Sequence, residues 1–409
     1  MAKLRPFRAS RPSEECAPKV SSVPYDVVST VEARELAAGN PLSFLRVTRS
    51  ELELPEGTDP YAAEVYARAA ENLERLRAAA PLVREAEPSL YLYRLVMGGH
   101  AQTGLAACFS VDEYDAGLVK KHEKTRREKE DDRTRHIATL RAQTGVVFLT
   151  YRAAAEVDAL VAEATAGVPL FDFTAEDGIR HTIWRAGGAL CDRLVAAFDR
   201  LPLLYIADGH HRAASAARTR AQLRDEGASL DPEKGDWNWF LAVAFPHDQM
   251  QVLPYHRLVK DLAGRTPEAF LAALGERFRV VAGPPVPSRK GLAGLYLAGR
   301  WHTLELPAAP AGSSAIAGLD VSKLQEGVLS PLLGIEDPRT DKRIDFVGGI
   351  RGTRELERRV DSGEMAVAFA LYPVTVEDLM AIADEGGIMP PKSTWFEPKL
   401  RDGLLIHEF

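Results

Sequence analysis

The chain has 409 residues, 46% of them hydrophobic and 27% charged, and its 51 lysines and arginines against 58 aspartates and glutamates give a formal net charge of −7. That length exceeds one small core and predicts two domains or one elaborated α/β body, globular and soluble. The acidic balance disfavours broad gripping of duplex DNA, although a local basic groove stays open.

Cys16, Cys108 and Cys191 are far apart and odd in number, with no CxxC pair. A zinc cluster or disulfide framework is therefore not expected, and a reduced cytoplasmic setting fits. The start, MAKLRPFRAS, has no apolar core of a signal peptide. No apolar run reaches the roughly 18 residues of a spanning helix, so no membrane is expected.

Near the N-terminus, Pro24 holds Val23 extended and sets a turn before Tyr25 and Asp26. Such a turn is often only structural, but Asp26, like Glu14 or Glu15, is a candidate carboxylate for a distant site. Asn40–Pro41 breaks the chain before an expected strand at 43–47. Asp59–Pro60 supplies a cap and a first-turn proline, which predicts a helix with a core stripe of Tyr66, Ala69, Leu73 and Leu76. Leu90–Met97 and 102–110 predict a hairpin around Gly98–Gly99.

The run VKKHEKTRREKEDDRTRH, at 119–136, is dense in charge. A solvated helix face explains most of it. Yet His122, Glu123, Lys124 and Thr125 form a compact acid, base and hydroxyl set, with Lys129, Asp132 and Arg133 close behind. A phosphate site needs such cations, and a carboxylate to hold Mg2+. Beyond it, strands and helices alternate: strand 145–151, helix 154–165, strand 178–185, helix 187–199, strand 203–207, helix 213–224 and strand 238–245.

Inside that alternation lies PLLYIADGHHRAASAARTRAQLR, at 202–224. Strand, tight polar turn and helix is where α/β folds place ligands. Gly209 permits close backbone approach, and the first amides of the helix have no intrahelical partner. Asp208, His210, His211 and Arg212 supply a metal-binding carboxylate, two proton carriers and a forked phosphate donor. The plain reading keeps Asp208 as a helix cap and one histidine as a core residue.

LPYHR, at 253–257, reads as a rim loop with His256 or Arg257 turned to a ligand. A helix at 267–278, a hairpin at 291–306 and helices at 324–333 and 374–384 follow without evident chemistry. In the tail, MPPKSTWFEPKL, the residues Lys392, Ser393, Thr394 and Lys399 are able to clasp phosphate beside Trp395 and Phe396. A tail packed by its aromatics explains the stretch equally well. Walker A, dinucleotide, HExxH and G-x-S-x-G patterns are missing.

Together PYD, NP, HEKT, the Asp132–Arg133 pair, DGHHR, LPYHR and MPPKSTWFEPKL resemble the DUF1015 family across nearly the whole chain, with Trp395 where a tyrosine is expected. The DGHHR turn is also similar to that of the ParB/sulfiredoxin-like superfamily, free-serine kinases in particular. The resemblance implies an α/β (α+β) fold: a mixed-sheet body with a ParB/sulfiredoxin-like core and further α+β elaborations. The expected regions are 1–150, an N-terminal α+β region contributing HEKT; 151–262, the core with DGHHR; and 263–409, a C-terminal α+β region with the KST tail. It further implies that the turn at 208–212 holds nucleotide phosphates and Mg2+; which acid is the base does not carry over.

The leading expectation is a nucleotide-dependent phosphotransferase acting on a small hydroxylated metabolite, free L-serine first, with Mg2+ and ATP or ADP. Asp208 would hold the metal. Gly209, Arg212, Lys124, Thr125, Arg133, Arg257, Lys392, Ser393, Thr394 and Lys399 would hold the nucleotide. Glu123, His210, His211 and Asp26 are the catalytic candidates. Arg212 is expected in a solvent-filled cleft, with Lys392 and Ser393 closing from the tail. The alternative is a non-catalytic nucleotide- or metabolite-binding regulator of ParB-like type; a metal-dependent nuclease ranks third. A homodimer is left open.

Overall fold

The computed structural model describes residues 2–79, 82–229, 231 and 235–409. They form two compact units, unit 1 comprising Met1–Met250 and Pro398–Phe409, and unit 2 comprising Gln251–Glu397.

Unit 1 is built on a mixed sheet of nine strands among the described residues. These are β1 (Leu4–Arg5), β2 (Leu90–Met97), β3 (His100–Ser110), β4 (Val119–Lys120), β5 (Val147–Tyr151), β6 (Phe171–Thr174), β7 (Arg180–Ala186), β8 (Leu204–Asp208) and β9 (Trp239–Pro246). Their order is β4-β8-β5-β9-β3-β2-β7-β6, with β1 on β3. The pairs β4–β8 and β5–β9 are parallel, and the others are antiparallel. The β2–β3 hairpin turns through Gly98 at φ +58°, a left-handed value glycine adopts without a Cβ clash.

The helices follow from their apolar stripes. They are α1 (Ala63–Ala79), α2 (Arg127–Leu140), α3 (Ala155–Ala164), α4 (Gly188–Phe198) and α5 (His210–Asp225). Val157 and Leu160 of α3 and Leu194 and Phe198 of α4 bury against Val147, Leu149, Tyr151 and Ile206 of the sheet. Alternate residues of β5 thus meet one helical layer, as the period of a strand dictates.

Unit 2 has an all-antiparallel six-stranded sheet. Its strands are β10 (Tyr255–Val259), β11 (Arg279–Ala282), β12 (Leu292–Leu297), β13 (Arg300–Glu305), β14 (Ile344–Gly348) and β15 (Val367–Leu371), in the order β11-β13-β12-β15-β10-β14. Its helices include α6 (Pro267–Gly275), α7 (Gly352–Asp361) and α8 (Val376–Asp384). The mixed α+β class expected from sequence is the class observed.

Several local expectations are corrected. The expected strand at 43–47 is the short helix Leu45–Thr48, because Phe44 and Val47, three apart, both bury against Leu73 and Leu76 of α1. Helix α1 begins at Ala63, not at Asp59, whose carboxylate instead accepts the Tyr61 N–H at 3.0 Å in a turn. LPYHR is not a rim loop: Tyr255 begins β10, and His256 and Arg257 are buried. The three cysteines are free. Among the described residues no helix is long and apolar enough to cross a membrane.

The close fit of β3 to β9 has a measurable consequence. A Cβ on Gly104 would stand 2.6 Å from Val243 Cγ1 and 2.9 Å from the Ala244 carbonyl oxygen. A backbone carbonyl cannot swing aside as a side chain does. Gly104→Ala should therefore lower stability by about 1–3 kcal/mol, read as a fall in the urea midpoint.

Candidate functional site

Strand β8 ends in a register shift between Ile206 and Asp208 against β5. Such a bulge re-aims the side chain beside it, here Asp208. Gly209 follows at φ +87° and is the N-cap of α5. A Cβ there would meet Arg212 Nη1 at 3.0 Å and Val147 Cα at 3.4 Å, in a conformation that side chains already disfavour, so the turn demands glycine. No side chain caps the helix. Asp208 is not the cap; its carboxylate turns to Lys399 Nζ at 3.5 Å and Arg212 Nη2 at 3.6 Å.

Arg212 does not lie in a solvent-filled cleft. It is 5% exposed. Its Nη2 donates to both Asp26 oxygens, at 2.7 and 2.9 Å, and its Nη1 to the Val146 carbonyl at 2.8 Å. Burial disfavours the cation, but Asp26, Asp208 and Asp402 outweigh it and hold the guanidinium charged. On Asp208 burial works against cations: burial favours its neutral form, and Lys399 and Arg212 keep it ionised, well below the usual carboxylate range. Tyr25 explains the rest of the PYD turn. The Arg133 and Arg212 guanidiniums lie over its ring at 4.3 and 6.0 Å. Arg133 itself is held by Asp132, at 2.9 and 3.0 Å, and by the Thr48 carbonyl at 3.3 Å.

The HEKT segment meets the start of α5 from the other side. The His122 N–H donates to His210 Nε2 at 3.5 Å, and the two rings meet edge to face at 4.5 Å. That acceptor role puts the His210 ring proton on Nδ1, which lies 3.6 Å from Glu123 Oε2. Glu123 is 46% exposed on its side chain, whereas His210 is buried. Burial, helped by His122, pushes His210 well below the ordinary imidazole range, and burial takes His122 down to about 4. Both rings are neutral at pH 7. His211 Nε2 accepts the Arg126 N–H at 3.0 Å and is also lowered by burial. Lys124 is exposed, and the Thr125 hydroxyl donates to Glu130.

Unit 1 thus brings together Asp26, Glu123, Asp208, Gly209, His210, His211, Arg212 and Lys399. Arg257, Lys392, Ser393 and Thr394 belong to unit 2. There the Ser393 hydroxyl donates to the Pro390 carbonyl at 2.6 Å and Lys392 Nζ lies 5.5 Å from the Tyr255 ring centroid.

Two groups escaped the sequence reading. His122 was read as one of the HEKT set but given no role of its own, and it packs on His210. Asp402 was not singled out. It is 1% exposed, its backbone pairs with Ser22, and burial pushes its carboxyl up to about 7, with Arg212 opposing and Asp26 reinforcing. The signal available was its place beside Lys399 and Arg401. Three buried polar atoms here have no hydrogen-bond partner among the described residues: His122 Nδ1, Arg212 Nε and Asp402 Oδ2. Buried polar atoms rarely stay unpaired, so these mark places for water or ligand.

The family model described as "Protein of unknown function (DUF1015)" matches residues 4–322, and the chain belongs to that family. No curated protein matches it. Among solved structures it is similar to a free serine kinase in complex with AMP, at 14% identity and TM-score 0.36, covering 73% of this chain and 91% of that one. A conserved hypothetical protein from Pyrococcus furiosus gives 14% identity, TM-score 0.34 and coverage of 73% and 94%. SbnI with C-terminal truncation from Staphylococcus aureus gives 10% identity, TM-score 0.39 and coverage of 73% and 85%.

Arg212→Ala should cost far more than ligand affinity. It leaves two carboxylates and the Val146 carbonyl without their donor, and a loss of about 3 kcal/mol or more is expected, measured by urea denaturation. Asp402→Asn probes the buried carboxyl. Its folded value of about 7 stands above the ordinary 3.8. The folded chain therefore binds a proton that the unfolded chain releases between those values, and this group's contribution to stability falls as pH rises. The variant should gain on the wild type steadily from pH 4 to 7 and hold that gain above 7. Parallel stability profiles would show that Asp402 is ionised when folded.

Proposed function

We propose that unit 1 of this DUF1015-family protein is a nucleotide-dependent phosphotransferase for a small hydroxylated metabolite. The observation that carries it is the start of α5: an uncapped row of amides with Asp208 and Lys399 on one side and the part-exposed Glu123 on the other. Phosphoryl transfer asks for little beyond position and charge. The amides of His210, His211 and Arg212 point where a phosphate would sit, and Lys399 adds a cation. Arg212 serves as the rigid base beneath the turn, since both its Nη groups are bonded inside the protein.

Mg2+ typically keeps one or two carboxylates beside substrate phosphates. Asp208 suits that role, being ionised, 29% exposed on its side chain and held only by contacts of 3.5 and 3.6 Å. When bound, the ion would neutralise phosphate oxygens. Glu123 is the base on this reading. The substrate hydroxyl oxygen bonds to the terminal phosphorus as the bridging P–O bond of ATP or ADP breaks. The hydroxyl proton passes to Glu123, and the departing nucleotide keeps the electron pair. Neutral His210, with its proton on Nδ1, steadies the carboxylate without cancelling its charge. Free L-serine is the first alcohol to test, because the DGHHR turn resembles that of free-serine kinases.

A regulatory reading, nucleotide binding without turnover, is favoured by one observation: Asp26 and Asp208 are both engaged by cations of the chain itself. One experiment separates the two. The full chain is incubated with ATP or ADP, Mg2+ and a panel of small alcohols including L-serine, and phosphoester is followed by phosphorus NMR. Product is expected with the wild type. Glu123→Gln should lower kcat by about 100-fold or more while the nucleotide Kd stays within about threefold. Tight nucleotide binding with no product from any donor and alcohol would leave the regulatory reading.

A further inference from the structure

Five arginines are buried among the described residues: Arg212, Arg220, Arg257, Arg359 and Arg401. Four of them hold carboxylates: Arg212 on Asp26, Arg220 on Asp112, Arg359 on Asp345 and Arg401 on Asp177. Arg257, in β10 of unit 2, is the exception. It is 2% exposed. Its Nη1 donates to the Tyr255 carbonyl, its Nη2 to the Pro391 carbonyl at 3.1 Å, and it lies 5.3 Å from the Phe346 ring centroid. No described carboxylate pairs with it. Burial accordingly pushes the guanidinium down to about 9, with only Tyr255 opposing, so it is still a cation at pH 7.

A buried charge without a counter-ion costs several kcal/mol, and proteins retain such a charge where it has work to do. Arg257 lines a narrow pocket of unit 2 together with Tyr255, Lys290, Asp320, Asp378 and Ser393. The two carboxylates there are committed elsewhere. Asp320 accepts the Gly291 N–H at 2.8 Å and faces Lys323 at 3.3 Å; Asp378 holds Lys290 at 2.6 Å and caps α8 through the Thr375 N–H. A guanidinium has five N–H donors; two serve carbonyls, which leaves three toward any oxyanion. The turn that supplies the Pro391 carbonyl is itself held in an unusual conformation, with Lys392 at φ +54°.

We propose that this pocket is an oxyanion site, in which Arg257 and Lys290 bind the carboxylate or phosphate group of a small metabolite. The anion is the counter-ion the fold omits. The pocket is narrow, and its lining places the Arg257 and Lys290 cations beside the Ser393 side chain. The proposal does not depend on the phosphotransferase reading, since every residue it uses lies in unit 2.

The test is calorimetric titration of the full chain at fixed ionic strength, with inorganic phosphate in one arm and acetate in the other. Wild type is compared with Arg257→Met and Lys290→Gln. The DGHHR turn is intact in all three, so its own phosphate binding cancels in the comparison. At least one anion should bind the wild type saturably, more than tenfold more weakly in Arg257→Met and severalfold more weakly in Lys290→Gln. A response to phosphate alone identifies a phosphorylated ligand, and to acetate alone a carboxylic acid. If Arg257→Met does not fold, Lys290→Gln, whose side chain is half exposed, decides. Equal affinity in wild type and in every folded variant, or no binding of either anion to the wild type, overturns the proposal.

Discussion

The guanidinium of Arg212 is the point on which unit 1 closes. It ties together Asp26 from the N-terminal turn, the Val146 carbonyl ahead of β5 and Asp208 at the end of β8. None of these is near another in sequence. A single planar, permanently charged fork is suited to this because its donors are fixed relative to one another, so satisfying one acceptor positions the rest. Glycine at 209 is a corollary: the fork lies so close beneath the turn that a Cβ has nowhere to go.

That cation also sets the electrostatics around it. Two of the carboxylates in its neighbourhood end in different states. Asp208 stays ionised because two cations face it, whereas Asp402, more deeply buried and without a donor on Oδ2, is driven toward its neutral form. The histidines at the start of α5 are kept neutral by burial, which leaves Lys399 and Arg212 as the cations beside Asp208. In unit 2 the same kind of side chain is placed differently: Arg257 is fully enclosed, but carbonyl oxygens stand where Arg212 has acids. Comparing the two shows how a buried arginine can be either a structural clamp or an incomplete charge pair.

What could be read from the chain depended on whether the rule was local. The β2–β3 hairpin and the strand, turn and helix around DGHHR follow from short-range periodicity and glycine, and each stands within a residue or a few of its expected bounds. Residues 43–47 were misread because a short apolar run suits a buried strand or a buried helical turn equally, and only the packing of Phe44 and Val47 on α1 decides. The partner of Arg212 was invisible for a different reason: a charged residue beside Asp208 announces a site, but not whether its fork faces a ligand or an aspartate far upstream. LPYHR misled because Pro254 and two basic residues resemble a loop, while in the fold the proline merely precedes β10. Asp402 offers no local sign beyond its neighbours Lys399 and Arg401; its state follows mainly from tertiary burial.

Unit 1 is discontinuous: it is left at Met250 and re-entered at Pro398. During translation, Asp208 and α5 therefore leave the ribosome well before Lys399, with all of unit 2 made in between. The nascent sheet can fold around Arg212 and Asp26, but the carboxylate of Asp208 waits for the cation that offsets it. The cation beside Asp208 is thus supplied late in biosynthesis, by a segment made after all of unit 2. Unit 1 acquires its full charge pattern only once both units have been synthesised.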